Sequence, residues 1–245
     1  MVRGGIKRYF VKMTKVLIVT TNVGRYESQK LRTGLWLSEL THFYDRARLA
    51  GFEVVIASPM GRNTPIDPVS TRPGYLDKLT RSYWTNPTFM AELQYTKSIN
   101  QVAAQDFDCI YLTGGHGTMY DFPENTALRY IIRELYENDR IVSAICHGVG
   151  GLLNVTLSNG EYLVKNKTLT GFSWMEEILA RRTKEVPFNL QKELKNKKAA
   201  YTKALLPLTS KVCEDKNLIT GQNPFSSKEL ADKVIKALRF RGLFH

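Results

Sequence analysis

Apolar residues fall in short dense runs separated by mixed segments. Lys15 to Thr21 (KVLIVTT) is nearly continuous and β-branched, which predicts a strand buried on both faces, as in a parallel sheet. From Thr33 to Ala50, Leu35, Trp36, Leu40, Phe43, Tyr44 and Ala47 recur at helical spacing, and Gly51 stands where a helix-ending glycine belongs. Glu53 to Ala57 (EVVIA) predicts the second strand, and strand, helix and strand in that order make a βαβ unit. Asp108 to Thr113 (DCIYLT) predicts a third strand, closed by the turn Gly114-Gly115-His116-Gly117. Asn125 to Asn138 reads as a helix with Leu128, Ile131, Ile132 and Leu135 on one face. Ile141 to Ile145 predicts the fourth strand, and Cys146-His147-Gly148 turns straight into a short helix, Val149 to Leu153.

Two regions are less regular. Ser58 to Asp106 is broken by Pro59, Pro65, Pro68 and Pro73, with short helices expected at Tyr75 to Trp84 and Pro87 to Leu93. It is too long for an ordinary connection, so residues 59–105 read as a cap-like insertion. In the last third, Thr168 to Phe172, Leu205 to Val212 and Leu218 to Thr220 read as strands. Trp174 to Arg182, Pro187 to Lys198 and Ser226 to Arg239 read as helices, the last with a capping-box-like start at Ser226 to Glu229. The fold class is α/β: a single domain over residues 13–245, a parallel sheet with helices on both faces. The basic stretch Met1 to Lys12 reads as a disordered extension, since Met13 offers a start just before the first strand.

Composition changes this picture little. The chain has 245 residues, enough for a sizeable core, and its 43% hydrophobic and 24% charged content is that of a globular protein. Its 35 Lys and Arg against 23 Asp and Glu give a net charge of +12. The basic residues are spread out. The densest stretch, Gln191 to Lys203, lacks aromatic interleaving and reads as a solvated face, so no specific nucleic acid is expected. No apolar run reaches the ~18 residues of a membrane span, and none resembles a signal peptide, so no membrane partner is expected. Cys109, Cys146 and Cys213 form no CxxC pair, which fits a reducing cytoplasm.

One cysteine stands apart. Cys146 follows a buried strand and precedes His147-Gly148-Val149-Gly150-Gly151, so glycines permit a tight turn into a helix. That is the logic of a nucleophile elbow with cysteine in place of serine. A helix N-terminus at the sulfur is expected to favour the reactive thiolate. His147 is a candidate proton shuttle, and its backbone N–H a candidate oxyanion donor. The Gly114-Gly115-His116-Gly117 turn ends a neighbouring strand, where α/β sheets bind ligands, so Gly115, His116 and Gly117 join Gly148 as candidate oxyanion and substrate-binding residues. Only four histidines exist: His42, His116, His147 and the terminal His245.

These segments resemble the ThiJ/PfpI superfamily, within the class I glutamine amidotransferase-like, flavodoxin-like folds. Among its branches, the chain is similar to the heat-shock chaperone and glutathione-independent glyoxalase III group. The resemblance rests on Thr33-Gly34 through Glu39-Leu40-Thr41-His42-Phe43, Gly115-His116-Gly117-Thr118 with Asp121 and Pro123, and Ala144-Ile145-Cys146-His147-Gly148. Thr170-Gly171-Phe172-Ser173 with Glu176-Glu177, and Leu218 through Pro224, also match. It implies Cys146 as nucleophile, His147 as its base and Glu39 as the glutamate that bonds the sulfur. It further implies an acidic residue orienting the histidine, Glu177 or its neighbour Glu176, with register favouring Glu177. A carboxylate beside a thiolate should have a raised pKa, so Glu39 is expected to act as a protonated donor. His42 and Asp121 match motif positions of structural or pocket-lining character.

Some relatives carry a metal on a cap region. No His/His/carboxylate cluster is legible here, so no metal is expected, and no cofactor fingerprint such as GxGxxG or a P-loop occurs. The distal His-x-Glu of true amidotransferases is also missing. The reading is a cofactor-free enzyme that converts 2-oxoaldehydes such as methylglyoxal to 2-hydroxy acids. The partner expected is a small aldehyde, and the resemblance implies a homodimer. A holdase-type chaperone, a peptidase, amidase or deglycase using the same cysteine, and a redox sensor are the alternatives.

Overall fold

The computed structural model describes residues 13–28 and 30–242. The expected 1–12 extension and His245 lie outside the described residues. In chain order the elements are β1 (Lys15–Val19), α1 (Leu37–Leu49), β2 (Glu53–Ser58), α2 (Lys78–Trp84), α3 (Pro87–Gln94), β3 (Lys97–Ser98), β4 (Cys109–Leu112), α4 (Thr118–Asp121), α5 (Thr126–Glu137) and β5 (Ile141–Ile145). A 3₁₀ turn over Cys146–Leu152 follows. Then come β6 (Thr168–Leu169), α6 (Trp174–Ala180), α7 (Leu190–Asn196), β7 (Ala200–Tyr201), β8 (Val212–Asp215), β9 (Leu218–Gly221) and α8 (Ser227–Gly242).

Seven strands form one sheet in the order β3-β2-β1-β4-β5-β9-β8. All neighbours run parallel except β8, which pairs antiparallel with β9. β6 and β7 pair separately. The continuous apolar runs are explained by burial on both faces. Along β1, Val16 and Ile18 point into one core with Leu40, Phe43 and Ala47 of α1 and Leu230, Val234 and Leu238 of α8. Leu17 and Val19 point into the other, with Leu128, Ile131, Ile132 and Leu135 of α5. The strand order reverses at β1, between β2 and β4, and the carboxyl ends of β1, β4 and β5 open onto that switch point.

Three expectations are corrected. The helix predicted from Thr33 begins only at Leu37. Leu35 instead exchanges backbone bonds with Pro65 and Asp67 of the insertion, and the Trp36 N–H donates to the Gly114 carbonyl. The strand predicted at Leu205 to Val212 is present only from Val212 onward; Leu205 and Leu206 stand in an exposed loop around Pro207, which has no N–H to give a ladder. The capping box expected at Ser226 to Glu229 is not formed there, because the Ser226 hydroxyl is spent on the Lys211 N–H and on Asn223. Capping boxes form instead at Ser98 and Gln101 and, at the start of α6, at Ser173 and Glu176. Gly51 behaves as expected, with positive φ and the Phe52 N–H donating back to the Ala47 carbonyl.

Candidate functional site

β5 carries Cys146 to the switch point and stops. Cys146 has φ of 57°, the left-handed region that costs a non-glycine residue roughly 1–2 kcal/mol. A strained cysteine between a buried strand and a tight turn is the expected elbow. The turn can close because Gly148 has no side chain: a Cβ there would run into the Thr113 carbonyl oxygen. Gly115 has φ of 100°, and a Cβ on it would meet the Gly34 carbonyl and the Trp36 nitrogen. The two glycines thus bring the ends of β4 and β5 and the start of α1 close together.

Glu39, in the first turn of α1, reaches into this junction and is fully buried. Its Oε2 accepts the Gly114 N–H at 2.8 Å, while its Oε1 has no hydrogen-bond partner among the described residues. No cation faces it. Burial raises the Glu39 carboxyl to about 8, against the lowering effect of the nearby Cys146 thiol and the Gly114 N–H. Glu39 is therefore a neutral acid at neutral pH, able to donate a hydrogen bond. The residue is held from behind, since the Tyr111 hydroxyl donates to its carbonyl at 2.8 Å while the Tyr111 ring stacks on Phe43.

On the other side of the sulfur, His147 Nδ1 lies 3.4 Å from Cys146 Sγ. Its Nε2 lies 2.8 Å from Glu177 Oε2, and His116 Nε2 lies 2.8 Å from the other oxygen, Oε1. The imidazole rings are 4.0 Å apart. Burial opposes ionisation of Glu177, but the two imidazoles outweigh it and hold the carboxyl well below the usual carboxylate range. Burial first, and His147 second, push His116 below the ordinary imidazole value, so it is neutral. A Glu177 carboxylate fixes the proton of each ring on Nε2. The Nδ1 lone pair of His147 is thereby aimed at the sulfur.

Glu177, not Glu176, orients the histidines. Glu176 Oε2 accepts from the Ser173 N–H and hydroxyl, and Oε1 accepts from the Leu208 N–H and Asn223 Nδ2. Two of these bonds close the capping box of α6, and two tie the helix to the segments that carry Leu208 and Asn223. The Ser173-Trp174-Met175-Glu176 spacing was the available signal, because a capping box claims its fourth residue and leaves the next one free.

Other expectations are corrected. Burial, then the Glu39 charge, push the Cys146 thiol well above its ordinary value; the His147 N–H opposes this and does not prevail. Full burial thus opposes the thiolate that the helix-terminus argument expects. Of the four candidate oxyanion and substrate-binding residues only His116 lines the cavity beside the sulfur; Gly115, Gly117 and Gly148 do not. Gly148 is a spacer, and Gly117 precedes α4, packed against Val23 and Thr21. A His/His/carboxylate cluster does exist: His116, His147 and Glu177 place ligand-type atoms within 4.8 Å of one another, all buried. It was hidden because its members lie after β4, after β5 and within α6, far apart in the sequence.

The sulfur and both imidazoles open into a cavity of about 110 Å³. Its walls include Trp36, Tyr75, Phe172, Leu208 and Phe225. Tyr75 comes from the insertion, and Leu208 and Phe225 come from loops; no pattern in the sequence marked them. A neighbouring cavity of about 280 Å³ shares Trp36, Tyr75 and Phe225 and contains His42, whose Nε2 lies 3.0 Å from Asp77. His42 is thus pocket-lining at one remove. Asp121 is structural: its Oδ2 accepts from the Thr21 hydroxyl and Asn22 N–H, and burial raises it to about 7.

Sheet order, elbow and relay define a flavodoxin-like, class I glutamine amidotransferase-like protein with a cysteine at the switch point. Residues 32–237 match the DJ-1/PfpI family, and the chain belongs to that family. It is 28% identical over 233 residues to Glyoxalase 3 of Candida albicans, covering 92% of this chain and 98% of that protein. It is 28% identical over 234 residues to the glutathione-independent glyoxalase HSP31 of Saccharomyces cerevisiae, again covering 92% and 98%. Among solved structures it is similar to the Rapid Encystment Protein 24 KDa of Francisella tularensis, with TM-score 0.88, 35% identity and coverage of 92% and 99%.

Proposed function

We propose that this protein is a glutathione-independent glyoxalase that converts 2-oxoaldehydes such as methylglyoxal to 2-hydroxy acids, lactate in that case. The observation that carries the reading is the Cys146–His147–Glu177 relay with a neutral Glu39 on the far side of the sulfur. Relatives matched along nearly their full length carry this activity in their names.

Cys146 Sγ attacks the aldehyde carbon as its proton passes to His147 Nδ1, giving a hemithioacetal. The backbone N–H of His147 is the donor assigned to the oxyanion, which takes the proton back from His147 Nδ1. His147 then removes the proton from the former aldehyde carbon and returns it to the adjacent ketone carbon, while the hydroxyl proton passes to the ketone oxygen. The first carbon is oxidised and the second reduced, so no external redox agent is needed. The resulting thioester of the 2-hydroxy acid is hydrolysed by water, which frees the thiol. Cys146 supplies the sulfur that glutathione supplies in thiol-dependent routes. The raised thiol pKa suits a cysteine that loses its proton only as it attacks.

The test is methylglyoxal consumption with lactate formation in the absence of glutathione. Turnover by the wild type that vanishes in Cys146→Ala supports the reading. No turnover by folded wild type sinks it. A holdase activity has one observation in its favour: Met175, Ile178, Leu179, Leu205, Leu206 and Phe225 are all largely exposed. Cys146→Ala should leave such an activity intact. The same apolar side chains support a homodimer, and three free buried thiols support a reducing compartment such as the cytoplasm.

A further inference from the structure

We propose that His116, His147 and Glu177 form an inhibitory binding site for a borderline-soft divalent cation such as Zn²⁺. Two imidazoles and a carboxylate are one of the ligand sets that hold zinc with one position left open. Their nitrogen and oxygen atoms lie within 4.8 Å of one another. Tetrahedral zinc ligands at ~2.1 Å from the metal sit about 3.4 Å apart, so the 2.8 Å His–Glu contacts, made to different carboxylate oxygens, must open by about 0.6 Å and the widest separation, up to 4.8 Å, must close by up to about 1.4 Å. His116 and His147 also line the cavity, which gives an ion its path and a water its place in the fourth position.

The two hydrogen bonds now held by Nε2 protons become metal bonds. Each imidazole stays neutral, so its proton moves by exchange with water from Nε2 to Nδ1, and no net proton is lost. For His147 the consequence is decisive. Its Nδ1, 3.4 Å from the sulfur, changes from acceptor to donor. The protonated Nδ1 cannot take the thiol proton, and it becomes the outer hydrogen bond that metal-bound imidazoles characteristically make. The ion silences the relay without touching the sulfur. The metal site is a property of the three ligands; only its inhibitory effect rests on the function proposed above.

The experiment is Zn²⁺ binding by calorimetry to wild type, Cys146→Ala, His116→Gln and Glu177→Gln, with Co²⁺ spectra of the wild type. The expected result is one ion per chain and turnover lost on loading and restored by chelation. Cys146→Ala should change affinity by no more than about tenfold, the lower end of what loss of an outer partner costs, and His116→Gln and Glu177→Gln should weaken it at least about 100-fold. Co²⁺ should give visible bands of a low-coordinate site without a sulfur charge-transfer band. Near-ultraviolet circular dichroism checks the fold of each variant, and the Cys146→Ala and cobalt arms stand if either ligand variant fails to fold. Absence of binding, binding lost in Cys146→Ala, a sulfur charge-transfer band, or unchanged affinity in His116→Gln would each overturn the proposal. Because binding is read directly, its failure is separate from any failure of aldehyde turnover.

Discussion

Glu39 and Glu177 sit on opposite sides of one cysteine–histidine pair, and both are buried. Glu39 meets one backbone N–H and a thiol, and burial raises it to about 8. Glu177 meets two imidazoles and stays ionised. Neighbours, not burial alone, decide which carboxyl keeps its proton. The neutral acid can donate toward the sulfur or a developing oxyanion, while the carboxylate sets the imidazole tautomer. Placed in each other's surroundings, the two residues would defeat both tasks.

The largest expected effect breaks the comparison on the Glu177 side. Glu177→Gln keeps the shape but removes the charge that fixes both tautomers. Lactate formation should fall about 10³–10⁴-fold, the scale seen when a triad carboxylate becomes an amide. Its neighbour should behave differently. Glu176→Gln disturbs four hydrogen bonds, two in the capping box of α6 and two to Leu208 and Asn223, so denaturant unfolding should show a loss of about 2–3 kcal/mol, with activity retained by the folded fraction.

Glu39 supplies a pH test. Its pKa is raised from 4.5 in the unfolded chain to about 8 in the folded one. Between those values the native state holds a proton that the unfolded state does not. Stability from this group is therefore full below pH 4.5 and declines as pH rises to about 8, by at most ~1.4 kcal/mol per pH unit. Glu39→Gln removes that slope, so melting temperatures of variant and wild type should diverge in the variant's favour as pH rises through the window. The smallest effect is on turnover at neutral pH. Glutamine mimics the protonated acid, so Glu39→Gln should cost about fivefold or less, the worth of one altered hydrogen bond of ~1 kcal/mol.

Much of the fold was legible because buried parallel strands leave unmistakable runs, as at Lys15 to Val19 and Ile141 to Ile145. The elbow was legible for a related reason: a strand, a small nucleophile and glycines must adjoin in sequence to adjoin in space. The His116–Glu177–His147 bridge was not, because β4, β5 and α6 supply it from three places. The upward push on the Cys146 thiol was not legible either, because it comes from burial against Glu39. Tyr75, Leu208 and Phe225 gave no signal, since loop residues acquire their neighbours only through tertiary packing.

The most direct test of opposite charge states is the pH–rate profile of glutathione-free lactate formation for wild type, Glu39→Gln and Glu177→Gln measured together. The account predicts a wild-type rate that falls as Glu39 ionises near pH 8, a Glu39→Gln rate that lacks that fall, and a Glu177→Gln rate near background throughout. A Glu39→Gln enzyme that keeps the alkaline fall, or a Glu177→Gln enzyme with near-normal turnover, would contradict it.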